Sequence, residues 1–280
     1  MIAYLTNFQF VVMKPENIGN TFRQFIPMGI NPMLENFIDK VNFSVDGGQL
    51  LQAAIHCKQA ELVKQFIERG ANLSSPPNKV PPLQFDPDVH VNYRPAPFIV
   101  QAACAGDKKV MQILIENGCS LHEVGHIALS KRHKNSLAHN VIGAAAYHGH
   151  HEVLEYCLKN LPADQIDLKG IETSDREKTS STFKPEMQEF TPLQLAMVTP
   201  HANPSVVKLL FGRDADHFVK QASTGNNILH LVAQHTTDNN VLEYVVKNAK
   251  VSAFDRNKSG DTPLTICQAK GNADGVRIIE

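Results

Sequence analysis

The closing stretch of the sequence, "DTPLTICQAKGNADGVRIIE" (261–280), has the pattern of two short helices separated by a glycine break. Threonine followed by proline is typical of a helix start, because threonine is a favoured N-cap and proline suits the first helical position. Gly271 interrupts the apolar pattern, which then returns in Val276, Ile278 and Ile279. A helix pair this short cannot bury its apolar face alone, so it is predicted to stack on a similar neighbour.

The same unit recurs upstream. Each copy has a short helix rich in alanine, a polar break that often carries glycine, and a second helix of bulkier apolar residues. The copies are "GQLLQAAIHCKQAELVKQFIERGANL" (48–73), "APFIVQAACAGDKKVMQILIENGCSL" (96–121), "HNVIGAAAYHGHHEVLEYCLKN" (139–160), "FTPLQLAM" with "PSVVKLLFGRDAD" (190–216), and "NNILHLVAQH" with "NVLEYVVKN" (226–248). Alanine allows neighbouring backbones to approach closely, so the pattern predicts a continuous stack of helix pairs.

These units resemble the ankyrin-repeat family. Its signature T-P-L-H-x-A is matched by "TPLQLA" (191–196), "NILHLV" (227–232) and "TPLTIC" (262–267). The resemblance covers residues 47–280, in six units of which the last is incomplete. It implies an all-α solenoid of stacked helix pairs with hairpin or loop connections.

The chain is predicted to divide into a non-repeat segment, 1–46, and an ankyrin-repeat domain, 47–280. The first segment is expected to form a helical cap over the apolar side of the first repeat, which solenoids need for solubility. Two long insertions, about 74–94 and 161–189, lengthen the connections between repeats. Loops of this length are usually functional or disordered. Because loop-closure entropy varies slowly with length, we expect the stack to tolerate the deletion of 166–183.

Composition narrows the possible partners and compartments. The chain has 27 basic and 28 acidic residues, so it has no overall field that would attract nucleic acid. The run "KRHK" (131–134) is interpreted either as a solvated loop or as a surface for an acidic partner. No apolar run reaches the roughly 20 residues of a membrane span, so no membrane insertion is predicted. Five scattered cysteines without a C-x-x-C pair argue against disulfides and favour a reducing, cytoplasmic location.

No catalytic motif is present in the sequence. A G-x-S-x-G elbow, a P-loop and a G-x-G-x-x-G loop are all missing. Cys267 replaces an alanine of the family's inner helix, and its position indicates a core residue rather than a nucleophile. We therefore predict that the protein is not an enzyme and has no catalytic residues, no cofactor and no small-molecule substrate.

One cluster invites a metal hypothesis, since His148, His150, His151 and Glu152 follow one another closely. However, Gly149 falls at the break between two helices, where the family has a structural Gly-His turn. A zinc site also needs three or four convergent ligands. The sequence therefore favours a structural turn, and no metal is predicted.

The resemblance implies that other proteins bind to hairpin tips and to exposed positions of the inner helices. Aromatic residues and arginine contribute most to interfaces, so Tyr93, Arg94, Tyr147 and His148 are the strongest candidates. The remaining candidates are Ser136, Leu137, Gln188, Ser223, Thr224, Gln234, His235, Lys258 and Ser259.

Two functions are compatible with these features. The first is a non-catalytic scaffold or adaptor that acts as a subunit of a larger assembly. The second is an N-terminal regulatory or targeting module of a longer enzyme or channel. The last unit stops at Glu280 within its second helix, so we expect either a longer natural chain or another subunit that covers this end.

Overall fold

The computed structural model describes residues 23, 26, 38, 39, 41–74, 96–128, 135–174, 188–199, 201–236 and 238–280. Within this part, twelve α-helices form six successive pairs. The helices are α1 (Phe43–His56), α2 (Ala60–Glu68), α3 (Phe98–Ala105), α4 (Lys108–Glu116), α5 (Val141–Tyr147), α6 (His151–Asn160), α7 (Pro192–Val198), α8 (Pro204–Phe211), α9 (Ile228–His235), α10 (Asn239–Asn248), α11 (Pro263–Ala269) and α12 (Ala273–Ile279).

The pairs stack into two layers. Each odd-numbered helix packs against the next odd-numbered helix, and each even-numbered helix packs against the next even-numbered one. The odd-numbered helices form the inner layer that the alanine pattern indicated, and the even-numbered helices form the outer layer. The predicted solenoid of stacked helix pairs is therefore confirmed.

The first four residues of each signature segment, which we call the tetrad, determine where the inner helix begins. Thr191 and Thr262 cap α7 and α11 in capping boxes, each followed by proline at the first helical position. Asn227 caps α9 in the same way, together with the side chain of His230. A capping box satisfies backbone donors at the helix start that would otherwise lack a partner, so each tetrad starts its helix in the same register.

A continuous apolar core lies between the layers. The inner-helix alanines, such as Ala103 and Ala145, are completely buried, as are the outer-helix residues Val63, Leu114 and Val207. Cys267 is also fully buried, as its interpretation as a core residue requires. Small residues on the inner helices and bulky residues on the outer helices let neighbouring pairs pack closely.

Four short strands form an antiparallel sheet that the sequence did not predict. The strands are β1 (Gly125–Ala128), β2 (Asn135–His139), β3 (Gly170–Ser174) and β4 (Gln188–Phe190), and they are ordered β1-β2-β3-β4. The sheet joins the connection before α5 to the connection before α7. It is a local addition to the helical solenoid.

The described part of the second insertion includes a 3₁₀ turn and a strand. β3 pairs with β2 on one side and with β4 on the other, and Ile166, in a 3₁₀ turn (Ala163–Asp167), is only 6% exposed. The structure argues against our expectation that 166–183 can be deleted without loss of stability, because the deletion would remove an internal strand and a buried side chain. The first insertion, 74–94, lies outside the described residues except for Ser74.

The start of the repeats also differs from the predicted boundary. Helix α1 begins at Phe43, ahead of residue 47, and Asn42 caps it by accepting a hydrogen bond from the Ser44 amide. Most of the predicted cap, 1–46, lies outside the described residues. Ile26 and Ile38 are buried, so residues of this segment contribute to the core. Among the described residues, no helix has the length and apolar character needed to cross a bilayer.

Candidate protein-binding surface

A recurring turn sets the side chains that follow the outer helices. A side-chain oxygen accepts a hydrogen bond from the amide two residues later in four connections: Asn72 from Ser74, Ser120 from His122, Asp216 from Phe218, and Ser252 from Phe254. Such Asx and Ser turns are local, sequence-driven structures. They therefore place Ser74, His122, Phe218 and Phe254 at the same position of their repeats.

In the last two of these turns, the residue whose amide donates the hydrogen bond is an exposed phenylalanine. The side chain of Phe218 is 57% exposed and that of Phe254 is 84% exposed. Phe218 also contacts His217, with 4.3 Å between ring centroids, and His217 stacks on Phe211. The sequence analysis missed these phenylalanines, although their shared spacing from the polar turn residue could have revealed them.

The candidates in the last two hairpins lie close together. The Lys258 amide donates to the Thr224 carbonyl over 2.8 Å, and the Lys258 ammonium donates to the carbonyl of Ala222 over 2.5 Å. Ser259 is exposed, whereas Ser223 is half-buried. These two hydrogen bonds join the two hairpin tips into one surface.

The candidates of the middle repeats lie on the sheet. Ser136 and Leu137 belong to β2, and Gln188 belongs to β4. The register pairs Leu137 with Glu172, and Glu172 with Gln188, so Leu137 and Gln188 share one row across three strands. The sheet thus brings together backbone positions that are far apart in the sequence.

The remaining hairpin candidates cannot be placed. Tyr93 and Arg94 lie outside the described residues, as does the basic run 131–134.

At the ends of the inner helices, the candidates differ in exposure. Tyr147 is only 5% exposed, so its ring faces the interior rather than a partner. Gln234 and His235, at the end of α9, are exposed, and the Gln234 carbonyl accepts a hydrogen bond from Lys270 of the next repeat. His148 is half-buried at the end of α5.

Around His148 the structure assembles a group of residues that we call the histidine strip: His56, Lys58, His148, His150 and His201. The His148 ring lies 6.0 Å from the ring of His150 and 6.3 Å from the ring of His201, centroid to centroid, and is stacked on both. The His150 Nε2 atom is 2.8 Å from the carbonyl of Cys104, in the preceding repeat. The strip therefore takes its residues from the turns of the first, third and fourth repeats, and His150 contacts the turn of the second.

Burial controls the protonation of the strip's inner histidines. Burial, together with the neighbouring His150, His201 and His56, lowers the pKa of His148 to about 3. Burial also lowers the pKa of His150, although its hydrogen bond to the Cys104 carbonyl acts in the opposite direction. At neutral pH both rings are therefore uncharged.

The geometry of the strip is that of stacked rings rather than of converging ligands. In the part of the chain that the structure describes, no group of three or more His, Cys, Asp or Glu residues is arranged to hold a metal ion. The Asn203 side chain donates to the Gly149 carbonyl over 2.8 Å, so the glycine turn also links one repeat to the next. The sequence identified His148 as a protein-binding candidate and considered the cluster at 148–152 as a metal site, but it did not connect these histidines with His201, because only the stacking of repeats brings the turns together.

A family model for ankyrin repeats, described as three copies, matches residues 193–279. The match runs from the first turn of α7 to the end of α12, and the helix pairs from α1 to α6 continue the same two-layer stack upstream. None of the curated proteins compared with the chain matches it. Residues 193–279 therefore match the ankyrin-repeat family, and the capped helix starts and stacked helix pairs of the described residues have the architecture that this match implies.

Proposed function

We propose that this protein is a non-catalytic scaffold or adaptor that binds other proteins and acts within a larger assembly. Ankyrin repeats are generally protein–protein interaction modules, and stacked repeats present extended binding surfaces. The partner is a protein rather than a nucleic acid or a small-molecule substrate.

The observation that carries this proposal is the pair of exposed rings at the same position of successive repeats. Exposed apolar side chains rimmed by polar residues mark interaction sites, and aromatic residues are frequent anchors in interfaces. Phe218 and Phe254 have such a rim, since the ion pair between Lys220 and Asp255, at 2.9 Å, lies in the same two connections. A partner that covers the two rings would remove apolar surface from water, which favours binding. The charged rim is hydrated when no partner is bound.

The five cysteines are free thiols in the structure, and Cys157 and Cys267 are buried. Free thiols persist in a reducing environment. This supports the cytoplasmic location that we propose for the scaffold.

The test is affinity capture from a cell extract with the tagged chain and with the double variant Phe218→Ser/Phe254→Ser. We expect the double variant to lose one or more of the proteins that the unmodified chain captures. Val45→Ser serves as the control, because Val45 is 72% exposed on α1, in the first repeat. If the double variant captures the same proteins in the same amounts, the aromatic pair is not a binding surface.

A further inference from the structure

We infer that the histidine strip is a docking surface for an acidic segment of a partner protein, and that this partner binds more tightly as the pH falls. The inference rests on the proposed function, because it assigns the chemistry of one binding surface of the scaffold. It concerns the inner-helix ends and not the aromatic pair at Phe218 and Phe254.

The charge of the strip favours an acidic partner. The ionisable groups that act on His148 and His150 are His56, Lys58 and His201, and every one of them is basic. All three of these residues are exposed. A row of basic groups that is open to water attracts segments of opposite charge and disfavours basic ones.

Three carboxylates lie at the starts of the outer helices of the first three repeats. Asp107 caps α4 by accepting hydrogen bonds from the amides of Lys109 and Val110. Glu61 and Glu152 lie in the first turns of α2 and α6. An acidic side chain at a helix start interacts favourably with the helix dipole, so each of these carboxylates stabilises the start of its own helix.

The other titratable side chains around the strip do not add charge. Burial raises the pKa of the Cys104 thiol to about 12, so the thiol stays protonated. Tyr147 is buried, and its ring meets the His148 ring edge-on at 5.2 Å. His151 follows His150 as the first residue of α6 and adds a further imidazole. Within the described residues, the ionisable groups that act on His148 and His150 are therefore basic, whereas the carboxylates Glu61, Asp107 and Glu152 lie at the starts of the outer helices.

The spacing of the strip suits an extended segment. The strip has residues in the turns of the first, third and fourth repeats, and packed helices lie about 8–10 Å apart. Residues i and i+2 of an extended chain face the same side about 7 Å apart, and i and i+3 are about 10 Å apart. An extended segment with several carboxylates can therefore meet Lys58, the stacked imidazoles and His201 in turn.

Proton uptake follows from the chemistry of this contact. A carboxylate beside an imidazole favours the charged form of the ring, so binding raises the histidine pKa. A ligand that raises the pKa of a group binds more tightly at lower pH, because the bound state holds more protons. An unperturbed histidine changes charge between about pH 5 and 8, so in that range the effect is expected from the exposed imidazoles of the strip rather than from the His148 ring, whose pKa burial lowers.

The test uses the full chain and a fluorescein-labelled peptide of about ten glutamates, and anisotropy measures its binding at low ionic strength. We expect binding at about pH 6 to be several-fold to tenfold tighter than at about pH 8, given the strength of exposed ion pairs. A glutamine peptide of equal length should not bind. Equal affinity at both pH values, or equal binding of the glutamine peptide, would overturn the inference.

The variant Lys58→Gln/His201→Gln should weaken binding of the glutamate peptide about tenfold. Its matched control is His122→Gln/Lys250→Gln, which removes the same two residue types from exposed positions outside the strip. Lys58→Gln alone, at a single exposed side chain, should still weaken binding several-fold if the double variant folds poorly. Equal weakening by the strip variant and the control would overturn the inference.

Two outcomes separate this inference from the proposed function. If the captured partner is lost by Phe218→Ser/Phe254→Ser but binds Lys58→Gln/His201→Gln normally at both pH values, the inference fails and the proposed function stands. If the glutamate peptide binds the strip but no protein is captured, the strip's chemistry is supported and the proposed function fails. If a single-stranded oligonucleotide of equal charge binds the strip more tightly than the glutamate peptide, the partner class is wrong.

Discussion

His139 and His230 make the same link to the next repeat from different positions in their own repeats. The His230 Nε2 atom lies 3.0 Å from the carbonyl of Asp261, the residue before the helix cap Thr262. The His139 Nε2 atom lies 3.3 Å from the carbonyl of Phe190, the residue before the helix cap Thr191. His230 is the third residue of its helix, whereas His139 precedes the cap of α5.

His139 can make this link from outside the helix because the third residue of α5, the position that His230 has in α9, is Gly143. A Cβ atom at Gly143 would overlap the imidazole ring of His139, so the ring occupies the space that a tetrad side chain fills elsewhere. The first prediction is that His139→Ala loses the link and lowers the free energy of unfolding by about 1–3 kcal/mol. The double variant His139→Ala/Gly143→His should recover part of this loss, because it restores the arrangement of His230.

Urea denaturation of both single variants and the double variant gives the coupling free energy between the two positions. Gly143→His alone should be destabilising, since the new ring and His139 would compete for one site. If the two single losses simply add in the double variant, the two rings do not share a site and the assignment is wrong.

The sequence predicted the helix pairs well because their signals are local. A cap such as Thr262, the proline after it and a run of small residues lie within a few positions of one another, and each specifies the same helix start. The strand Gly170–Ser174 was missed because its partner in β2 is remote in sequence and its residues are mainly small or polar. Pairing between strands depends on what the stack brings together, and short polar segments do not reveal it.

The candidate site was predictable only in part. The tip residues Lys258 and Ser259 are exposed, as a hairpin position requires, but Tyr147 is buried. An aromatic residue at the end of a short helix can turn towards the core or towards solvent, and the sequence does not distinguish these. The link between His148 and His201 depends on the stacking of repeats, so it was visible only in three dimensions.

The second prediction concerns the pH dependence of stability. Burial lowers the pKa of His139, His148, His150 and His230 in the folded state, and that of His148 to about 3. An unfolded histidine has a pKa of about 6.5, so the unfolded chain binds more protons below that pH. The contribution of these histidines to stability is fully present above about pH 6.5 and is lost progressively as the pH falls towards 3.

The urea midpoint should therefore fall between about pH 7 and pH 5, before most carboxylates become protonated. His148→Gln should reduce this fall, because it removes a group that must stay neutral in the folded state. A midpoint that rises over this range, or an unchanged slope in His148→Gln, would contradict the prediction.

The third prediction tests the packing of the inner helices. Ala145 is completely buried in α5, so Ala145→Leu should destabilise the protein by about 1–3 kcal/mol through overpacking. Ser223→Ala should change stability by less than about 0.5 kcal/mol, because within the described part of the chain its buried hydroxyl has no hydrogen-bond partner to lose. Thermal unfolding of the two variants provides the comparison, and equal shifts in Tm would contradict the assigned packing.

The last prediction concerns the segment that joins β3 to β4. The register pairs Glu172 with Gln188, so continuing it would bring Ser174 opposite position 186. An Asn-Gly dipeptide in place of 175–185 would then close a two-residue hairpin of a favoured type. Because loop-closure entropy changes slowly with length, this replacement should leave the free energy of unfolding within about 0.5 kcal/mol of the original value.

The matched comparison is the deletion of 166–183, which removes β3 together with the buried Ile166. Losing a buried isoleucine costs about 2–5 kcal/mol, and β2 and β4 would also lose their partner strand. Urea denaturation should therefore show a large loss for this deletion and almost none for the Asn-Gly replacement. If the two changes have equal effects, the strand does not stabilise the stack, and the order observed for 170–174 has no energetic role.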